Sequence, residues 1–67
     1  MIYATAEDEY GTRIVFLIRS DNSGLEIGEF NWENGRAVFY ARPYAVFTQD
    51  LLAAVLNFQR SIDSCIS

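Results

Sequence analysis

Apolar residues change their spacing once along this chain. Up to about residue 41 they fall in short alternating or near-continuous runs, and beyond Thr48 they recur at three- and four-residue steps. The first pattern matches the two-residue repeat of strands and the second the 3.6-residue repeat of a helix. The order of the two predicts an α+β domain, a four-stranded antiparallel meander sheet (β-β-β-β-α) packed on one C-terminal amphipathic helix.

Met1 to Ala6 sets Ile2, Ala4 and Ala6 against Tyr3 and Thr5 and reads as a short first strand. The acidic loop Glu7-Asp8-Glu9-Tyr10-Gly11 follows. Thr12 to Arg19 is rich in β-branched and aromatic residues and bounded by turn residues, which marks a second strand. Ser20-Asp21-Asn22-Ser23-Gly24 is turn chemistry, in which short polar side chains bond the local backbone. A third strand runs from about Leu25 to Trp32. Asn34-Gly35 then predicts a two-residue type I′ hairpin. That turn sets Glu33 opposite Arg36, Trp32 opposite Ala37, Phe30 opposite Phe39 and Gly28 opposite Ala41.

Pro43 ends the fourth strand and holds Arg42 extended. Thr48 suits a helix N-cap, Asp50 favours the dipole in the first turn, and Phe47 can pack on Leu52 as a staple. Leu51, Leu52, Val55, Leu56, Phe58, Ile62 and Ile66 form the apolar stripe of a helix running to about Cys65.

The pairing of the second and third strands decides how much of the sheet is left bare. With Ser20 opposite Leu25 and Arg19 opposite Glu26, one face carries Val15, Leu17, Phe30, Trp32, Ala37, Phe39 and Ala41. The other carries Ile14, Phe16, Ile18, Leu25, Ile27, Val38 and Tyr40. One helix covers one face, and monomers rarely expose apolar patches beyond a few hundred Å². This register predicts a homodimer or a stable partner. A bulge at Gly28 is the alternative, and it moves Leu25 and Ile27 to the covered face.

Length sharpens that expectation. A chain of 67 residues makes one domain whose core rarely supplies more than about 3–5 kcal/mol. Its single cysteine, Cys65, allows no internal disulfide, and without histidine a structural zinc site lacks ligands. Support from a second subunit or a partner remains. Hydrophobic residues make up 51%, too many for a disordered chain. No apolar run approaches the roughly 20 residues of a membrane span, and the first residues lack a secretory signal, so no membrane association and a cytoplasmic location are expected.

The formal charge is −4, from nine carboxylates against five arginines and no lysine. Arg13, Arg19, Arg36, Arg42 and Arg60 are dispersed among acids, which disfavours direct nucleic-acid binding. Tyr40, Arg42 and Tyr44 near Arg36 form the one cluster suited to stacking unpaired bases. The absence of histidine removes the usual general base and most metal sites. No glycine-rich phosphate loop occurs, and Asp21-Asn22-Ser23-Gly24 lacks the twelve-residue calcium pattern. No catalytic residue, cofactor or metal is expected.

The residues left to carry function are surface ones. Glu7, Asp8 and Glu9 cluster in the first loop. Glu26, Glu29 and Glu33 are spaced along the third strand like backbone phosphates, a pattern able to compete for a basic groove on a nucleic-acid-binding complex. Trp32 and Tyr40 are the aromatic anchors, because large aromatics dominate interface energetics. Partner contacts are therefore assigned to Glu7, Asp8, Glu9, Glu29, Trp32, Glu33 and Tyr40.

In being very short, acidic, lysine-free and β-rich with one terminal helix, the chain resembles small phage-encoded inhibitors of host defence, including anti-CRISPR proteins. It resembles equally the small bacterial strand-and-helix proteins that form dimers. The first likeness implies an inhibitor or adaptor docking on a larger protein, and the second a structural homodimer. Single-strand nucleic-acid binding is the third reading.

Overall fold

A computed structural model describes residues 2–64. Strands β1 (Ile2–Glu7), β2 (Arg13–Ile18), β3 (Gly24–Glu33) and β4 (Arg36–Ala41) precede one helix, α1 (Gln49–Ser64). The strands pair antiparallel in the order β1-β2-β3-β4, so each neighbours the one before it. The α+β meander read from the sequence is the fold. Met1, Cys65 and Ile66, placed above in the first strand and the helix, lie outside the described residues.

The β3–β4 hairpin has the expected register throughout, from Glu33 opposite Arg36 to Gly28 opposite Ala41. Asn34 (φ 54°) and Gly35 (φ 77°) supply the two positive φ angles of a type I′ turn.

The β2–β3 register differs from the expected one. Leu17 faces Leu25 and Phe16 faces Glu26, whereas Ser20 and Arg19 were the expected partners. The turn is the cause. Arg19 N–H donates to Ser23 O (2.8 Å) and Asn22 N–H to Arg19 O (2.9 Å). Asp21 Oδ1 accepts from Ser23 N (2.9 Å) and Ser23 Oγ (2.6 Å), and Asn22 takes φ 69°. The loop therefore occupies Arg19 to Ser23, and the strands meet at Ile18 and Gly24. An irregularity opposite the Val15/Phe16 step then restores pairing at Val15 with Gly28.

The unpaired residue on β3 is Ile27, not the expected Gly28, but the consequence is the one the bulged alternative carried: Leu25 and Ile27 lie against the core. Val15, Ile27, Phe30, Ala37, Leu51 and Val55 are buried, with Leu17, Leu25, Phe39, Phe58 and Ile62 packed around them. The face away from α1 keeps the cross-strand pairs Ile2/Ile18, Ala4/Phe16 and Ala6/Ile14, with Val38 and Tyr40 on β4. Between these two apolar groups runs the polar row of β3, Glu26, Glu29 and Asn31. The second face is therefore divided and smaller than the sequence implied.

Thr48 caps α1 as expected, its Oγ1 accepting from Leu51 N–H at 3.1 Å. Thr48→Ala is expected to cost about 1 kcal/mol by losing that acceptor, read as a lower urea midpoint with an unchanged slope. Only part of the predicted stripe faces inward. Leu51 and Val55 are buried, but Leu52 and Leu56 are about half exposed. Phe47, assigned to a staple on Leu52, meets Phe39 edge-on, with ring centroids 6.0 Å apart. Among the described residues, no helix is long and apolar enough to cross a membrane.

Candidate binding surface

Antiparallel order brings the β1–β2 loop and the β3–β4 turn to the same end of the sheet. Helix α1 starts at the opposite end and climbs toward them. Glu7, Asp8, Glu9, Trp32 and Glu33 therefore share one end of the molecule, although the sequence separates the first loop from the second turn by some twenty-five positions. Glu29 and Tyr40 do not join them. They face each other across β3 and β4 on the side of the sheet away from the helix.

The residues of the acidic loop have different tasks. Asp8 holds the loop itself: its Oδ1 accepts from the N–H groups of Tyr10 and Thr12, both at 2.9 Å. Gly11 completes the bend at φ 81°. Glu7 pairs across the strands with Arg13 at 3.7 Å. Glu9 is exposed, and beside it Tyr10 projects with 83% of its surface free. Sequence reasoning named neither Tyr10 nor Arg13 as a contact residue.

Behind this loop lies a recess of about 220 Å³ between sheet and helix, lined by Phe30, Trp32, Phe58 and Ile62 together with Thr5, Glu7, Arg13 and Ser61. Trp32 lines this recess and is 47% exposed. Phe58 and Ile62 stand four residues apart on α1, and that spacing was the signal for their shared direction. Nothing local in the sequence aimed them at Trp32.

Glu29 belongs to a different cluster. Arg42 donates Nη1 to Glu29 Oε1 at 2.8 Å and Nη2 to Glu26 Oε1, bridging two carboxylates that would otherwise repel. Their hydrogen bonds, Glu26 first, raise the guanidinium further above its already high ordinary pKa. Tyr44 donates its hydroxyl to Glu26 O. Two members of the aromatic and arginine cluster, Arg42 and Tyr44, are thus bonded to β3, while Tyr40 and Tyr44 keep about half of their surface exposed. Glu26 and Glu29 are likewise not free anions.

At the far end, Asp21 is held below the usual carboxylate range by the Ser23 hydroxyl and then by the Ser23 backbone N–H. That arrangement is a polar turn. Among the described residues, no group of three or more His, Cys, Asp or Glu side chains is placed to hold a metal ion. Compared with protein families, with curated proteins and with solved structures, the chain matches none.

Proposed function

We propose that this protein is a non-enzymatic binding module, a small acidic inhibitor or adaptor that docks on a larger protein through the end of the sheet bearing its first loop. The observation that carries this reading is the half-exposed Trp32 beside a recess of mixed apolar and charged lining, with Glu7, Glu9 and Glu33 at the same end. An aromatic anchor next to a hollow is the geometry of an interface hot spot. Carboxylates around it select a basic counterpart and speed its encounter. The partner this surface fits presents an apolar side chain flanked by arginine or lysine. The protein-binding face of a nucleic-acid-handling complex has that character, and the resemblance to phage-encoded inhibitors points the same way.

The test is affinity capture from a host lysate with two variants in parallel. Trp32→Ala is expected to lose the captured partner. Glu9→Arg with Glu33→Arg is expected to weaken capture, and the parent chain's capture should fall as salt rises. Asp8 is left intact because it holds the loop. Equal capture by the parent and both variants would show that this end is not the docking surface.

A second reading, the structural homodimer, rests on a different observation: two leucines of α1, Leu52 and Leu56, are about half exposed.

A further inference from the structure

The β3–β4 turn places a reactive pair of residues in a geometry that keeps the pair from reacting. Asparagine is a thermolabile residue, because its side-chain amide is open to attack by the backbone nitrogen of the residue that follows. A glycine in that following place leaves the path clearest, having no side chain in the way. The chain contains four asparagines, at 22, 31, 34 and 57, and only Asn34 precedes a glycine. Asn34 is exposed, and a Cβ built on Gly35 would meet nothing within 4 Å. Among the described residues no hydrogen bond engages the Asn34 side chain or the Gly35 N–H.

The other three are guarded. Ser23 follows Asn22, and its N–H is held by Asp21 Oδ1 at 2.9 Å. The bulky Trp32 follows Asn31 in β3. Phe58 follows Asn57 inside α1, where the helical ladder takes its N–H.

A torsion decides when Asn34 can react. Attack requires Gly35 N and Asn34 Cβ to lie on the same side of the Asn34 Cα–C bond. With φ 54° at Asn34 and 77° at Gly35, the turn is type I′, whose first central residue has ψ of about +30°. For an L-residue that ψ sets the next nitrogen nearly anti to Cβ, so Asn34 Cγ is held out of its reach. The required rotation does not fit inside a two-residue loop closed by the Glu33–Arg36 pair. The hairpin must open first.

We infer that Asn34 is a self-modification site that the folded β3–β4 hairpin keeps shut, and that it deamidates when the hairpin opens. In the open chain Gly35 N bonds to Asn34 Cγ, the Cγ–Nδ2 bond breaks, and ammonia leaves with the proton that Gly35 N gives up. A cyclic succinimide results, and water opens it. Hydrolysis at Cγ yields aspartate. Hydrolysis at the main-chain carbonyl of residue 34 yields isoaspartate, in which the main chain runs through Cβ and Cγ.

The two products differ in consequence. Aspartate suits the turn, since Asp-Gly also forms type I′, and it adds a negative charge next to Glu33 in a chain already at −4. Isoaspartate lengthens the main chain by one carbon within a loop whose length sets the register. The pairing from Glu33 with Arg36 to Gly28 with Ala41 is then lost, and with it the seating of Phe30 and Ala37 in the core. A hairpin opened long enough to react in this way does not close again.

The full chain, folded and in guanidinium, is incubated in mildly alkaline buffer and then cleaved after Arg19 and Arg36. The fragment 20–36 carries Asn22, Asn31 and Asn34, and tandem mass spectrometry shows which amide has become an acid. In guanidinium, Asn34 is expected to convert ahead of every other asparagine. In the folded chain its conversion should be slower by on the order of 10-fold or more, in proportion to the open population. Gly28→Ala, which forces the same two strands apart, should bring the rate in plain buffer toward the rate in guanidinium. Asn34→Gly keeps a turn able to hold positive φ and should abolish conversion while retaining the parent circular dichroism. The isoaspartyl chain, resolved by chromatography, is expected to melt well below the aspartyl chain. Equal rates with and without guanidinium overturn the inference, as does an unfolded chain in which another asparagine converts first. So does an isoaspartyl chain that melts like the parent. None of these measurements involves capture of a larger partner, so this inference and the docking proposal stand or fall separately.

Discussion

Gly28→Ala is expected to lower the melting temperature by roughly 10–20 °C, corresponding to about 2–3 kcal/mol. A Cβ built on Gly28 would lie 2.4 Å from Phe39 Cζ and 2.7 Å from Tyr40 O. The Phe39 ring has little freedom to retreat, because Phe30 lies 5.3 Å away on one side and Phe47 6.0 Å on the other, centroid to centroid. Tyr40 O belongs to the backbone of the paired strand, so relief there means opening β3 from β4. With a core worth only about 3–5 kcal/mol in all, such a loss leaves much of the population unfolded near 37 °C. Gly24→Ala on the same strand is the control. Its Cβ would meet Phe16 at 3.4 Å, and an effect within about 0.5 kcal/mol is expected. Thermal melts followed by circular dichroism decide the matter; two curves displaced by the same few degrees would mean that Phe39 does not rest over Gly28.

Leu51→Ala should cost the chain about 2–5 kcal/mol, whereas Leu52→Ala should cost less than about 1 kcal/mol at concentrations where the chain is monomeric. The two residues are adjacent in one helix and identical in type, so helix propensity contributes equally to both. They differ in surroundings: Leu51 is 1% exposed against the sheet, and Leu52 is 51% exposed. Removing Leu51 leaves a cavity that strand residues cannot fill, since Val15 is fixed in the ladder and Ile27 O is held by Arg42 N–H. Urea titrations of both variants give the comparison directly. Equal losses would place the helix in a different rotation about its axis.

These contrasts also explain what the sequence could and could not disclose. The β3–β4 pairing was legible in full because Asn34-Gly35 is a two-residue turn with one geometry, which leaves the register no freedom. The β2–β3 pairing was not, because several registers suit a polar loop of five residues. The choice among them fell to the Asp21–Ser23 hydrogen bonds and an irregularity beside Gly28. Periodicity gave α1 its existence, start and cap. It offered more apolar positions than one face can bury, and where the helix rests over the sheet decides which leucines turn outward. At the candidate surface, strand parity was enough to bring the first loop and Trp32 to one end. The recess depended on Phe58 and Ile62 arriving from α1, a tertiary crossing with no local signature. Arg42 reaches Glu26 and Glu29 across sixteen and thirteen positions, which no short-range pattern reveals.

The strand order has a kinetic consequence. Since every strand lies beside its predecessor, each strand pairing closes only a short loop, and no strand must wait for a distant mate. Folding of such a topology is fast, and the Asn34-Gly35 hairpin is equipped to form on its own timescale of microseconds. Helix α1 is the element whose docking, on both edge strands, must span the longest stretches of chain.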